Sequence, residues 1–364
     1  MPDPALDELV DRVRQAQASR TALCIRGGGT KDFYGEVPQG EPLDLRGLSG
    51  ISSYEPSELV VTVRAGTPLS ELEATLAEQG QCLPFEPPRF GTTGTVGGMV
   101  AAGLAGPARA AVGGVRDHML GATMLDGRAE VMSLEDQVTK NVAGYDVSRL
   151  LVGSLGVLGV ICEVSLKVLP IPPAMATVRF EIGEADAIRQ LNAWGGQPLP
   201  INASAWWDGM LVVRLAGARA AVQSARERLG GELIEEATAA TFWTGLRDQT
   251  DEYFVGARKA VEGGAALWRL SLPSVAPPLK LAGQQLVEWG GAQRWLCSSQ
   301  AAGAVRDAAA AAGGHATLFR ALDKRAGVFA PLRTPLDRIH RQLKKAFDPD
   351  GLFNPGRLYP AMWS

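Results

Sequence analysis

Glycine placement constrains this chain more than any other feature. Residues 91–159 hold 14 of its 43 glycines, and a separate run, Gly27-Gly28-Gly29, follows the apolar stretch "TALCI". Glycine loses the most backbone freedom on folding, so such runs weaken helices and strands. What they permit is close approach of a ligand or of another backbone. Successive N–H groups in a glycine turn form a concave nest for phosphate oxygens. Two familiar phosphate patterns are missing. G-x-x-x-x-G-K-[ST] does not occur, and in G-x-G-x-x-G counted from Gly27 the third glycine falls on Asp32. A lone triple glycine fits a tight turn between strands. Here a second loop, "GTTGTVGGMVAAGLAG", is denser still: Thr92, Thr93 and Thr95 bring hydroxyls among its amides, and Gly97 and Gly98 let a ligand lie against the backbone. Two separated glycine loops, each after a strand, suit the two ends of one long dinucleotide.

Periodicity organises the rest. "DPALDELVDRVRQAQAS" reads as a helix behind an Asp cap, "TALCIR" and "ELVVTVRAG" as strands, and "TPLSELEATLAEQG" as a helix with Thr67 at its N-cap and Gly80 at its stop. "VLGVICEVSLKVLPIPP" is a long strand closed by Pro170, Pro172 and Pro173, which marks a boundary. Beyond it, "ATVRFEI", "ADAIRQLNAW", "INASAWW", "MLVVRLA", "ARAAVQSARERLG" and "ELIEE" give a β-α-β, β-α-β order like a ferredoxin-like half, with a hairpin at Asp208-Gly209. "ALWRLSLP", "QRWLCSS" and "ATLFRAL" add strands, and no long repeat is visible. The expected organisation is residues 1–173 in two subdomains divided near 80–90, a smaller α+β unit over 174–330, and a C-terminal helix and tail over 331–364.

Net charge of −3 and a single basic cluster, "HRQLKK" at 340–345, argue against a nucleic-acid binder; the cluster reads as the solvated side of a helix. The four cysteines, Cys24, Cys82, Cys162 and Cys297, are far apart and offer no iron–sulfur or zinc spacing. No signal peptide and no apolar stretch long enough to span a bilayer are evident, so the expected setting is cytoplasmic.

Four stretches in order, "RGGGT", "GTTGTVGG", "KNVAGYD…LLVGSLGVLGVICEVSLKVLP" and "FDPDGLFNPGRL", resemble the FAD-binding domain of the vanillyl-alcohol oxidase / p-cresol methylhydroxylase family. The resemblance covers about residues 20–170 and about the last twenty, and its specificity lies in the order and spacing of the motifs. It implies an α+β, two-subdomain FAD-binding fold with a smaller ferredoxin-like cap. It further implies that Arg26, Gly27, Gly28, Gly29, Thr30 and Lys31 wrap the FAD pyrophosphate. The second loop, with Gly91, Thr92, Gly94, Thr95, Gly97 and Gly98, would lie along pyrophosphate and flavin. Gly156, Val160 and Ile161 would meet the adenosine side, and Asn354 and Arg357 would lie near the flavin ring. Members with a histidyl flavin carry His where this chain has Thr30, and doubly linked members carry a Cys in the second loop, which this chain lacks. Non-covalent FAD is therefore expected.

Within that family the whole chain is similar to the smaller FAD-binding subunits of bacterial glycolate oxidase (glycolate dehydrogenase) complexes. This implies glycolate oxidation to glyoxylate beside a longer FAD-binding subunit and an iron–sulfur subunit, with peripheral membrane contact only through those partners. Relatives that oxidise 2-hydroxy acids carry clustered cap histidines that bind a metal and take a proton. This chain has only His118, His315 and His340, so no metal is expected, and His118, in "GGVRDHMLG", is the one candidate base. The Trp206–Trp207 pair is a candidate lining for a cap pocket, although aromatic residues on such strands usually belong to the core. Two alternatives stay open: a self-sufficient flavin oxidase or dehydrogenase of a small hydroxy acid or alcohol, and a structural subunit that keeps the fold without redox chemistry.

Overall fold

The computed structural model describes residues 3–134 and 147–360. Residues 140–146, "KNVAGYD" of the third resembling stretch, lie outside them. The chain begins with the helix Pro4–Ser19, in which Asp3 caps by accepting from the Leu6 amide (3.4 Å) and Pro4 takes the first turn. Leu9, Val13 and Ala16, at helical spacing, are buried against β1 (Leu23–Arg26) and β2 (Glu41–Asp44), a parallel pair.

A five-stranded antiparallel sheet follows. It uses β3 (Ile51–Glu55), β4 (Val60–Arg64), β6 (Met119–Leu125), β7 (Val131–Ser133) and β8 (Val160–Lys167) in the order β3-β4-β8-β6-β7, while β5 (Gln81–Cys82) pairs with β9 (Leu169–Pro170). The helix Leu69–Glu78 buries Leu69, Leu72 and Leu76 on this sheet, each contributing roughly 1.5–3 kcal/mol. Its N-cap is Pro68 rather than Thr67. The Thr67 hydroxyl is buried and turned to the backbone of Gly50, donating to its carbonyl and accepting from its amide instead of capping the helix.

The second sheet has eight antiparallel strands: β10 (Ala174–Glu181), β11 (Ile201–Trp207), β12 (Met210–Gly217), β13 (Glu232–Ile234), β14 (Ala266–Ser271), β15 (Gln284–Glu288), β16 (Gln293–Ser298) and β17 (His315–Arg320). Their order is β13-β10-β12-β11-β15-β16-β14-β17. Taken four at a time, both halves run fourth-first-third-second from the outer edge inward, and they meet through the antiparallel pair β11·β15. The ferredoxin-like order expected for the first half is present, and the second half repeats it. Asp208 and Gly209 both adopt positive φ (48° and 80°), as the tight β11–β12 hairpin requires.

One face of this sheet is covered by the helices Glu184–Gly195, Arg219–Leu229 and Ala302–Ala311. The other face packs on the helices Glu236–Asp248 and Glu252–Glu262 and on Tyr34, Ala102, Leu104 and Leu155 of the glycine-rich half. Trp206 and Trp207 point to opposite faces: Trp206 donates to the Ile182 carbonyl (2.8 Å), and Trp207 stacks edge-on against Tyr253. Both are packing residues. Polar ties join the halves: Arg214 to Glu86 (2.7 Å), Trp289 Nε1 to the Gly106 carbonyl (3.1 Å), and Lys324 Nζ to the carbonyls of Phe33 and Gly35 (2.7 Å each).

The C-terminal helix Leu336–Phe347 corrects the reading of 340–345 as a wholly solvated face. Lys344 is buried. Its ammonium donates to Asp348 (2.5 Å) and to the carbonyls of Val157 (2.7 Å) and Phe353 (2.9 Å), while Asp348 accepts from the Leu352 and Phe353 amides. This knot returns the tail to β1, where Leu23 donates to Leu352 and Asn354 donates to Leu23.

Candidate functional site

Four pieces of chain close on one cleft: the first glycine loop, the start of the helix Val96–Ala102, the turn into β8, and the tail. It encloses about 760 Å³, its open mouth included. Arg26 through Asp32 form one wall, Thr95, Gly97 and Gly98 a second, Leu155, Gly156, Gly159 and Ile161 a third, and Asn354 and Arg357 the end. The amides of Gly27 through Lys31 donate to no protein acceptor among the described residues. Backbone donors are seldom left unsatisfied in a protein interior, so a row of five free ones along a cleft indicates a ligand rich in acceptor oxygens or ordered water.

The glycines of the first loop have a different cause from the one the sequence indicates. A Cβ at Gly27 would strike the Thr95 side chain, and one at Gly28 would fall on the Thr93 carbonyl. Thr93 Oγ1 in turn donates to the Gly28 carbonyl (2.8 Å). Glycine is needed at 27 and 28 because the second loop lies directly on the first. Gly29 differs again, with φ at +73°. Arg26, half exposed, is paired with Asp32 at 2.6 Å.

Several expected residues do not line the cleft. Gly91 and Gly94 face Thr30, Thr92 is exposed, and Val160 is buried among Leu125 and Cys162 on the far side of β8. Strand alternation explains Val160: its neighbour Ile161 takes the cleft side. Asn354 and Arg357 are present, but their polar atoms are committed to backbone. Asn354 accepts from the Ile25 amide (2.7 Å) and donates to the Leu155 carbonyl (2.6 Å). Arg357 donates to the carbonyls of Asp32 (3.0 Å), Tyr34 (2.6 Å) and Glu36. They hold the first loop in shape. His118 is corrected as well: its Nε2 pairs with the Val112 carbonyl (2.9 Å), its ring packs on Phe85, and it lies away from the cleft.

Sequence reading missed Glu288. It is buried at the end of β15, and Oε2 accepts from Trp295 Nε1 (2.6 Å) and Gln293 Nε2 (3.0 Å). Burial pushes its carboxyl up to about 7. It lines a small chamber with Phe90, Arg269, Trp295 and Phe319 between the second glycine loop and the eight-stranded sheet. Without β15 recognised, no local signal marked it.

Residues 5–135 match a family described as the FAD binding domain, and 336–358 match the C-terminal domain of FAD linked oxidases. The glycolate oxidase subunit GlcE of Escherichia coli (strain K12) is 48% identical over 96% of both chains. The chain belongs to the GlcE family of FAD-linked oxidases. More distantly, it is 29% identical to a D-2-hydroxyglutarate dehydrogenase of Xanthomonas citri pv. viticola over 52% of this chain and 40% of that one. A solved alkyldihydroxyacetonephosphate synthase shares the fold, with a TM-score of 0.63 at 15% identity over 96% of this chain and 74% of the other. The cofactor of the present chain is FAD, which fits the cleft on structural grounds: free amides for phosphate oxygens, and an apolar wall of Leu45, Ala101 and Ala102 for the ring systems. Among the described residues no three His, Cys, Asp or Glu side chains gather as metal ligands.

Proposed function

We propose that this chain is the smaller FAD-binding subunit of a glycolate oxidase (dehydrogenase) complex, oxidising glycolate to glyoxylate with a longer FAD-binding subunit and an iron–sulfur subunit. The observation that carries this reading is the 48% identity to GlcE along almost the whole of both chains. In it, the amides of Gly27 through Lys31 hold the pyrophosphate, Thr95, Gly97 and Gly98 lie beside it, and Gly156 and Ile161 flank the adenosine. Asn354 and Arg357 position the first loop rather than touch the ring. FAD bound there supplies a two-electron acceptor able to release its electrons one at a time. The chain's own part is to orient the flavin and exclude water from it. The four cysteines are dispersed and unpaired, so onward transfer falls to the iron–sulfur partner. No described helix is long and apolar enough to cross a membrane, and any membrane contact runs through the partners.

The test is glycolate-dependent dye reduction by the purified chain alone and after addition of the two partners. Flavin is expected in the lone chain, with turnover emerging only in the mixture. Robust turnover by the lone chain would overturn the subunit reading in favour of a self-sufficient enzyme. A chain that purifies without flavin and takes none up would leave only a structural role.

A further inference from the structure

Two cations stand without an acid partner at the seam between the glycine-rich half and the eight-stranded sheet. Arg320 closes β17, the outer strand of that sheet. Its guanidinium lies 3.3 Å from the ring centre of Phe33 and 5.6 Å from that of Phe90. Lys31, from the first glycine loop, holds its ammonium 5.7 Å from the same Phe90 ring. Neither side chain makes a hydrogen bond or ion pair with any described residue.

The carboxylates nearby are already committed. Asp248 binds Arg247 (3.0 and 2.7 Å) and the Arg89 amide (3.1 Å), and Asp32 binds Arg26. Burial pushes Lys31 down to about 8. Burial and the neighbouring Arg258 push Arg320 down to about 10. Two desolvated, unneutralised cations are costly, and aromatic faces offset only part of that cost.

The backbone also bends to bring Arg320 here. Pairing of β17 with β14 runs Trp268↔Leu318 and then Leu267↔Arg320, so one residue is bulged out at Phe319. Without the bulge, Arg320 would share the face of Leu318, beneath the helix Ala302–Ala311. With it, Phe319 and Arg320 both turn toward the glycine loop, where Phe319 packs edge-on to Phe33 (5.4 Å between ring centres). Bulges commonly re-aim a side chain in this way beside functional sites.

We propose that Arg320, with Lys31 as the second positive charge, forms the seat for the carboxylate of a small 2-hydroxy acid on the aromatic platform of Phe33, Phe90 and Phe319. The identity of the acid rests on the glycolate-oxidising reading above; the seat itself rests on the two unpaired cations and the bulge. A planar guanidinium grips a carboxylate with two parallel hydrogen bonds, and the rings exclude water from the pair. Lys31 also lines the flavin cleft, so an acid held here lies beside the cofactor's site.

The test is calorimetric titration of the FAD-loaded full chain, without air, with glycolate and with glycolamide, which keeps the hydroxyl and the size but not the charge. Glycolate should bind and glycolamide should bind about 100-fold more weakly or not at all. Arg320→Met should weaken glycolate by roughly 10- to 150-fold, the range for a lost charge-assisted hydrogen bond, and Lys31→Met by about tenfold. Arg320→Lys should recover part of the loss. Flavin content and melting temperature should stay near those of the parent chain in the two Arg320 variants. Equal binding of glycolate by parent and Arg320→Met would overturn the seat, as would a parent chain that takes no glycolate. Loss of flavin in step with lost cations would also overturn it, since the charges would then serve the cofactor. Carboxylate binding lost in Arg320→Met, in a chain that never activates with partners, would keep the seat and reject the complex. An active complex whose Arg320→Met variant keeps its glycolate affinity would do the reverse.

Discussion

Gly28 and Glu288 show how one residue's environment sets its role. A Cβ at Gly28 meets the Thr93 carbonyl, a rigid neighbour, so Gly28→Ala must separate the two glycine loops. Overpacking of this kind costs about 1–3 kcal/mol. We expect lower stability in urea and reduced flavin absorbance in the same preparation. At Gly94 the added Cβ would sit 3.4 Å from Thr30 Oγ1, an ordinary contact, so Gly94→Ala should keep its flavin. Flavin loss there with Gly28→Ala unaffected would reverse the assignment. Glu288 makes a pH prediction. Its carboxyl rises from 4.5 to about 7 on burial. Between those values the unfolded chain releases a proton that the folded chain keeps. This group's contribution is therefore complete below about pH 4.5, falls as pH rises through 7, and is flat above. Glu288→Gln can still accept from Trp295 without charging. Relative to the parent, it should gain up to ~3 kcal/mol on going from pH 5 to pH 8 in urea unfolding. A difference independent of pH would mean that Glu288 titrates normally.

The C-terminal helix acts through one buried ion pair. Lys344 binds Asp348 and two carbonyls, and Asp348 binds the two amides that turn the chain toward Asn354. Lys344→Met would leave Asp348 buried without its counter-charge, at a cost of about 3–5 kcal/mol. Because Asn354 then loses its anchor beside Ile25 and Leu155, flavin should be released before global unfolding. Thermal scans followed by flavin fluorescence and by far-UV circular dichroism should separate in the variant. Coincident transitions would show that the cleft keeps its flavin until the whole chain unfolds, so that the knot is not what holds it. The two four-stranded halves of the larger sheet are the other lesson at this scale. They share a strand order without visible sequence repetition, since the order is set by which edges pair and not by which side chains recur.

Across the whole molecule, FAD is expected in a cleft built from four chain segments that meet only in the folded state. It therefore binds the native chain alone, and added FAD should raise stability by about 2.7 kcal/mol at one hundred times its dissociation constant. A melting temperature that ignores FAD concentration would contradict this. Thr30 stands where a histidyl link would need His, so acid precipitation should leave flavin in the supernatant. A yellow pellet, with a flavin-shifted peptide mass, would demonstrate a covalent bond.

The glycine loops, their order, the helix behind Asp3 and the Asp208-Gly209 hairpin were all legible in the sequence. Each depends on neighbours in the chain: backbone freedom, capping and alternation act over a few residues. Tertiary structure decided the rest. It placed Thr93 over Gly28, turned Arg357 onto three carbonyls of the first loop, buried Lys344 within a basic stretch, and drew β15 into the middle of a sheet. It also bulged β17 so that Arg320 faces the first loop. In every one of these cases the deciding partner is far away in sequence, and whether a charge is solvated, paired or left waiting for a ligand depends on what folding packs against it.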